Sequence, residues 1–287
     1  MICSQCPRSC GVDRRKNPGF CGLSDEMNIA HVGLHFGEEP CIGGLSGAGT
    51  VFFSGCALRC VFCQNVSISR SSVGKDASPE DLVRVMKKLE AQGAACIDLV
   101  NPTHFTSRIR EALVQYKPEI PVVWNSSGYE KPETLRTLEG LVDVYLPDFK
   151  YCDSSVSLRY SAAPDYFLFA SAAVTEMFRQ TGKAVFSPEG QMLRGTLVRH
   201  LVLPAHTHDS LQVLGWLHEH LPEVSLSLMG QYFPAGDAEK MPEINRRLTR
   251  REYRRVLDFV ETVGFDGYCQ ALGNADGSYV PSFDLTY

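Results

Sequence analysis

Three cysteines in the run GCALRCVFC, Cys56, Cys60 and Cys63, constrain this chain more than any other feature. They follow the apolar run Val51 to Phe53 directly, with three and then two residues between them. Thiolates this close together suit a thiophilic metal, and a closed structural site normally takes four protein ligands. The spacing does not match a zinc knuckle, and no fourth Cys or His lies immediately nearby. A four-iron cluster held by three thiolates leaves one iron open to a small ligand.

The chain has 287 residues and 11 cysteines, an odd count in a sequence too long for a small disulfide scaffold. Reduced, metal-bound thiolates fit better. The N-terminus MICSQCPRSC carries no basic region followed by an apolar stretch, and no apolar run approaches the roughly 20 residues of a membrane span, so a soluble cytoplasmic protein is expected. With 28 Lys and Arg against 33 Asp and Glu, the net charge of −5 gives no general reason to bind nucleic acid or an anionic membrane. There is no Rossmann fingerprint, P-loop or Ser/His/Asp nucleophile; GGLSGAG lacks the lysine of a P-loop.

The first 48 residues are rich in Cys, Gly and Pro without sustained periodicity, which predicts a metal-stapled appendage over 1–48. From residue 49 the texture alternates. TVFFS, CIDLV, PVVWN, LVDVYLPDF, LVRHLVLP, VSLSLM and GFDGYCQ read as strands. Helices are expected from Ser78, with Leu82, Val83, Met86 and Leu89 on one side, over Ser107 to Tyr116, Pro132 to Leu138, Asp165 to Gln180, His208 to His220 and Thr249 to Val263. Strand then helix, repeated about six times, implies parallel strands with right-handed crossovers, an α/β protein with a partial (β/α)6-type barrel over 49–287. Reactive groups then belong on loops after the strands, and the three-cysteine loop is one of them.

C-x3-C-x2-C after the first strand of such a series resembles the radical S-adenosylmethionine (SAM) superfamily. Thr50 to Phe265 is similar to the activating enzymes of pyruvate formate-lyase, and HFGEEPCIGG, GCALRCVFCQN, NSSGYE, YLPDFKY, RHLVLP and INRRLT look like one bacterial subgroup of them. The resemblance implies a [4Fe-4S] cluster on Cys56, Cys60 and Cys63 whose open iron takes SAM, reductive cleavage to a 5′-deoxyadenosyl radical, and hydrogen abstraction from a substrate. That substrate is either a glycine Cα–H of a glycyl radical enzyme or another peptide or small molecule. It implies a one-electron donor such as flavodoxin or ferredoxin. Phe62 matches an aromatic that packs on the adenine, and Asn65 an asparagine that often follows the loop. A GGE-type motif that binds the SAM amine is replaced by NPTH, where Asn101 and Thr103 offer acceptors and His104 is either an acid–base group or a helix-opening residue. Asn125, Ser126 and Ser127 match polar contacts to the ribose and methionine, with Asn125 in place of an acid and Gly128 permitting the turn. Asp148, Lys150 and Arg199 match SAM-contacting or substrate-contacting charges, and Gln231 and Tyr232 occupy a specificity position.

Cys3, Cys6, Cys10 and Cys21 make a second set, complete at four, for a second [4Fe-4S] cluster or a zinc. Similar quartets precede the barrel in another branch of the superfamily. Cys41 is then spare, as an alternate ligand, while Cys96, Cys152 and Cys269 read as ordinary buried residues. Arg8, Arg14, Arg15 and Lys16 are either a docking patch for an acidic donor or a solvated loop. The reading from a different class is a non-catalytic iron–sulfur redox or metal-binding protein that performs no chemistry on SAM.

Overall fold

The computed structural model describes residues 2–270 together with Leu272 and Phe283. In chain order the elements are β1 (Met27–His35), α1 (Pro40–Gly43), β2 (Ala48–Phe53), α2 (Val66–Ser69), β3 (Lys75–Ala77), α3 (Pro79–Ala91), β4 (Ile97–Val100), α4 (Thr106–Gln115), β5 (Val122–Ser126) and α5 (Pro132–Leu135). They continue with β6 (Val144–Pro147), α6 (Ser154–Ser161), α7 (Tyr166–Thr181), β7 (Val185–Phe186), β8 (Met192–Leu201), α8 (Thr207–His220), β9 (Ser225–Met229), α9 (Arg250–Val263) and β10 (Gly267–Cys269). One sheet runs β10-β9-β8-β6-β5-β4-β2-β1-β3, with β7 paired to β8. Every pair from β2 to β10 along that path is parallel, and β1 pairs antiparallel with both β2 and β3. The protein is thus mixed α/β with a mostly parallel sheet. Phe52 of β2 and Gln270, just past β10, line one cavity, so the sheet curves around it.

Local chemistry explains the crossover helices. Ser78 caps α3 by accepting from the Asp81 N–H at 3.2 Å, the Asp81 carboxylate accepts from the Ser78 N–H at 2.9 Å, and Pro79 opens the first turn. Its buried stripe is Leu82, Val85, Met86 and Leu89; Val83, expected on it, is only partly covered. Thr249 and Glu252 repeat the capping box on α9, which buries Tyr253, Val256 and Val260 and ends at Gly264 with φ +75°. Among the described residues no helix is long and apolar enough to cross a membrane.

The sheet takes in β1, which the sequence placed in the appendage. Its first four residues are all buried because both faces are covered, Met27 and Ile29 by the cluster that includes Leu82, Val85 and Leu89 of α3 and Ala30 by Phe52 and Ile68, and this removes the alternation that would mark a half-buried strand. The short β3, the β7–β8 hairpin and α6 are further elements the pattern did not predict. Cys41 lies in the core with Ile42, Ala48, Cys96 and Val123, and Cys269 is exposed on β10 rather than buried.

The turn after β5 depends on one glycine. Gly128 has φ +72°, and a Cβ there would stand 2.2 Å from the Asp148 carbonyl oxygen. Gly128→Ala is expected to cost on the order of 2 kcal/mol or more in urea unfolding, since strain and overlap act together. Parental stability in that variant would contradict the close approach of β5 and β6 at the site.

Candidate functional site

Beyond β2 the chain turns at Gly55, where φ is +71° and a Cβ would meet the Cys21 carbonyl oxygen at 2.6 Å. The loop from Cys56 to Cys63 is held by its own backbone and by two neighbours. The Val61 N–H donates to the Tyr160 carbonyl at 2.8 Å, and the Asp237 N–H donates to the Val61 carbonyl at 2.6 Å. Arg70 donates to the Cys60 carbonyl at 2.9 Å and pairs with Asp237. The sulfurs are themselves solvated by the protein. Cys56 Sγ accepts from the Leu58 N–H at 3.3 Å, Cys60 Sγ from the Ser161 hydroxyl at 3.0 Å, and Cys63 Sγ lies 3.3 Å from Ser69 Oγ.

All three thiols are free and line a cavity of about 160 Å³, and Cys60 and Cys63 also line an adjoining one of about 270 Å³. Burial raises the thiol pKa of Cys56 and of Cys60, so a metal must displace those protons as it binds. Among the described residues no group of three or more His, Cys, Asp or Glu is arranged to hold a metal ion. A zinc draws its ligands within about 2.3 Å of one point, whereas a four-iron cluster takes each thiolate on a different iron. The donor set, three unpaired thiols with hydrogen bonds to sulfur on one cavity wall, fits the cluster.

Opposite the loop the cavity holds buried charge. Arg199 of β8 donates from Nε to Asp148 at 2.9 Å and from Nη2 to the side-chain Oδ1 of Asn125 at 2.6 Å, and its Nη1 lies 3.5 Å from Glu38. Lys150 donates to the other Asp148 oxygen at 2.6 Å. Burial works to raise the Asp148 carboxyl, but Arg199 and Lys150 outweigh it and hold it below the ordinary range. Burial would likewise depress Lys150, and Asp148 and Cys60 raise it instead. Beneath them lies Asp98 of β4, fully buried, accepting from the Asn125 amide at 3.3 Å. Burial, with Glu38 adjacent, pushes its carboxyl far up. Glu39, which accepts from Ser227 at 2.9 Å, is also raised by burial.

The other expected residues divide. Phe62 lines the larger cavity and meets Tyr160 and Tyr232 edge-on, with centroids 6.5 and 6.0 Å away. Gln231, Tyr232 and Asn65 share that wall. Asn101, Ser126 and Ser127 line the smaller cavity. Asn101 stands at φ +59° and its amide holds the Gly55 carbonyl at 2.5 Å, so this side chain steadies the cysteine loop. Ser126 donates to Glu130 at 2.6 Å, and Trp124 donates to the same carboxylate at 2.9 Å. Thr103 is buried and lines neither cavity. His104 is buried too, bonded through Nε2 to the Ser54 carbonyl at 2.7 Å, and burial depresses it to about 3; it packs the loop and is not an acid–base group of the cavity.

The N-terminal cysteines are unpaired and close enough for Cys3, Cys10 and Cys21 to raise Cys6, whose thiol burial already pushes up to about 11. Arg14 is buried, donating to the carbonyls of Leu23, Ser24 and His104, and Arg8 donates to those of Ala57, Ser161 and Ala162. Arg8 thus ties the segment to the cysteine loop and the end of α6, and Arg14 ties it to the turn after β4, rather than standing as solvated charge. Sequence reasoning named none of Glu38, Glu39 and Asp98 as site residues. The paired acids of HFGEEP between β1 and α1, and a lone acid inside the apolar strand CIDLV, were the available signals.

His104 and His200, the latter bonded to the Phe149 carbonyl at 2.7 Å and depressed by burial to about 4, are neutral in the folded chain. Unfolded, each takes a proton near pH 6.5. Their contribution is complete above that pH and is lost as pH falls toward 4 and 3. Each is expected to cost about 1.4 kcal/mol per pH unit below 6.5. In urea unfolding between pH 7.5 and 5.5, His104→Gln should remove one proton's worth of that slope, and an unchanged slope would contradict the assignment.

Comparison with known proteins agrees with this geometry. Residues 50–168, from β2 through the cysteine loop to the start of α7, match the Radical SAM superfamily. An uncharacterised protein of Methanocaldococcus jannaschii is 30% identical over 274 residues, covering 92% of this chain and 75% of its own. With three free thiols on the loop after β2, a charged cavity at the ends of the parallel strands and a match across that region, the chain carries a radical SAM superfamily domain over residues 50–168.

Proposed function

We propose that this radical SAM enzyme abstracts a hydrogen atom from a peptide backbone, in the manner of the pyruvate formate-lyase activating enzymes. The observation that carries the reading is the placement of Cys56, Cys60 and Cys63 on the same cavity wall system as Asp148, Lys150 and Arg199. Cys56, Cys60 and Cys63 would hold a [4Fe-4S] cluster, which with bound SAM supplies a 5′-deoxyadenosyl radical after one-electron reduction. A flavodoxin- or ferredoxin-like donor is the proposed source of that electron.

The chain's own residues bind and orient. Arg199 and Lys150, fixed by Asp148, present two cations beside the thiols, suited to a carboxylate such as that of methionine. Asn125 is held between Arg199 and Asp98, so it has a fixed orientation and its amide is already engaged. Phe62 offers its ring to the adenine, and Tyr160 and Tyr232 set its tilt. Ser126 and Ser127 are polar neighbours on the smaller cavity. Burial pushes the Asp98 carboxyl far up and raises that of Glu39, while Asp148 pairs with both cations and Glu38 with Arg199. That balance lets buried charge persist in a place kept dry for radical chemistry.

A small molecule in place of a peptide is the second reading. It is favoured by the two cavities themselves, about 270 and 160 Å³, which leave little room beyond a cofactor. The N-terminal quartet is proposed to hold a second iron–sulfur cluster, since among the described residues no ligand group is drawn together as a zinc requires.

Anaerobically reconstituted protein given SAM and a strong reductant is expected to release 5′-deoxyadenosine, and Cys56/Cys60/Cys63→Ala to release none. Asp148→Asn should weaken SAM binding about tenfold or more, the scale of a lost charge-assisted contact. A fully loaded cluster that neither binds nor cleaves SAM would favour a non-catalytic redox protein instead.

A further inference from the structure

The segment carrying Cys3, Cys6, Cys10 and Cys21 has almost no regular structure of its own. Before β1 its backbone pairing is one isolated bridge, Ile2 with Asp13, and its buried apolar side chains are Cys6 and Leu23. So small a unit needs a staple, and Cys3, Cys10 and Cys21 lie near enough to act on the Cys6 thiol. A Cβ on Gly19 would stand 3.6 Å from both Cys10 Sγ and Cys21 Sγ.

Contacts between this segment and the three-cysteine loop leave from residues next to those thiols. Arg8, two residues past Cys6, donates from Nε to the Ala57 carbonyl at 2.8 Å, beside Cys56. From Nη2 it donates to the Ser161 carbonyl at 3.1 Å, and the Ser161 hydroxyl donates to Cys60 Sγ. Phe20 donates its N–H to Cys10 Sγ at 3.2 Å. Its ring has the Arg8 guanidinium 3.9 Å from its centroid and that of Arg59 at 4.4 Å, and Arg59 adjoins Cys60 and donates to the Phe20 carbonyl at 3.2 Å. Cys21 presents its carbonyl to Gly55, the residue before Cys56.

We propose that a thiophilic metal held by Cys3, Cys6, Cys10 and Cys21 fixes Arg8 and Phe20, and through them the three-cysteine loop, so that the two metal sites load as a coupled pair. This rests on the reading of the quartet as a metal site. Arg8 acts as a positioning residue, since it touches the loop's backbone and a partner of a cluster sulfur rather than the cluster. Coupling of this kind is reciprocal: whatever the quartet metal adds to cluster retention, the cluster adds to retention of the quartet metal.

The test measures metal content, the rate at which a chelator strips the loop cluster from anaerobically reconstituted full-length protein, and the electron paramagnetic resonance spectrum of that cluster when reduced. The parent should carry four irons at the loop plus further iron at the quartet. Cys6→Ser/Cys10→Ser should lose the quartet metal and release the loop cluster about tenfold faster, the scale seen when outer contacts of metal ligands are removed. Arg8→Gln should keep the quartet metal and show a similar acceleration with an altered spectrum, whereas Arg15→Gln, whose partner is Asp13, should match the parent. Parental release rate and spectrum in Arg8→Gln would overturn the coupling, and this holds even if the double variant does not fold. A parent with four irons and no other metal would overturn instead the reading of the quartet as a metal site.

Discussion

A guanidinium buried at the ends of three strands organises this molecule. Arg199 of β8 reaches Asp148 just past β6, Asn125 of β5 and Glu38 from the segment between β1 and α1, so it ties the middle of the sheet to that segment. A buried cation persists only with such partners, and removing one partner of a buried pair typically costs about 3–5 kcal/mol. The partners explain features that look unrelated in the sequence: an acid after an apolar strand, an asparagine where a charge is expected, and the first of two adjacent glutamates before a short helix. Each places an acceptor around one charge.

The cysteine loop depends on the same principle of satisfied polar groups at its backbone and its sulfurs. Tyr160, Asp237 and Arg70 hold one side of it, Asn101 holds its entry, and Arg8 with Phe20 hold the other side. A loop with this many external supports presents its thiols in one arrangement, which is what an open-iron cluster requires of its scaffold. The N-terminal segment is therefore continuous with the site in a mechanical sense.

Much of this was legible in the sequence because the signals were local. The capping boxes at Ser78 and Thr249, the apolar runs of β4, β5, β6 and β9, and the spacing of Cys56, Cys60 and Cys63 each follow from neighbouring residues. What was missed follows from tertiary contact. β1 lost its alternation because α3 packs on one face and Ile68 with Phe52 on the other, and Asp98 looks like an interruption of a strand until Asn125 and Glu38 are beside it. Arg8 and Arg14 resembled surface charge because nothing in their local sequence reveals carbonyl partners 49 and 90 residues away. His104 looked available for chemistry and is instead packed on Phe105 with its ring bonded to the Ser54 carbonyl.

The central claim is that the three thiols and the Arg199 network form one site for a cluster and its SAM. Pulsed electron paramagnetic resonance on the reduced, reconstituted protein, with SAM labelled by nitrogen-15 at the amino group, tests it most directly. The account predicts a nitrogen-15 coupling to the reduced cluster that is absent without SAM. A cluster of full iron content whose spectrum is indifferent to saturating labelled SAM would contradict it.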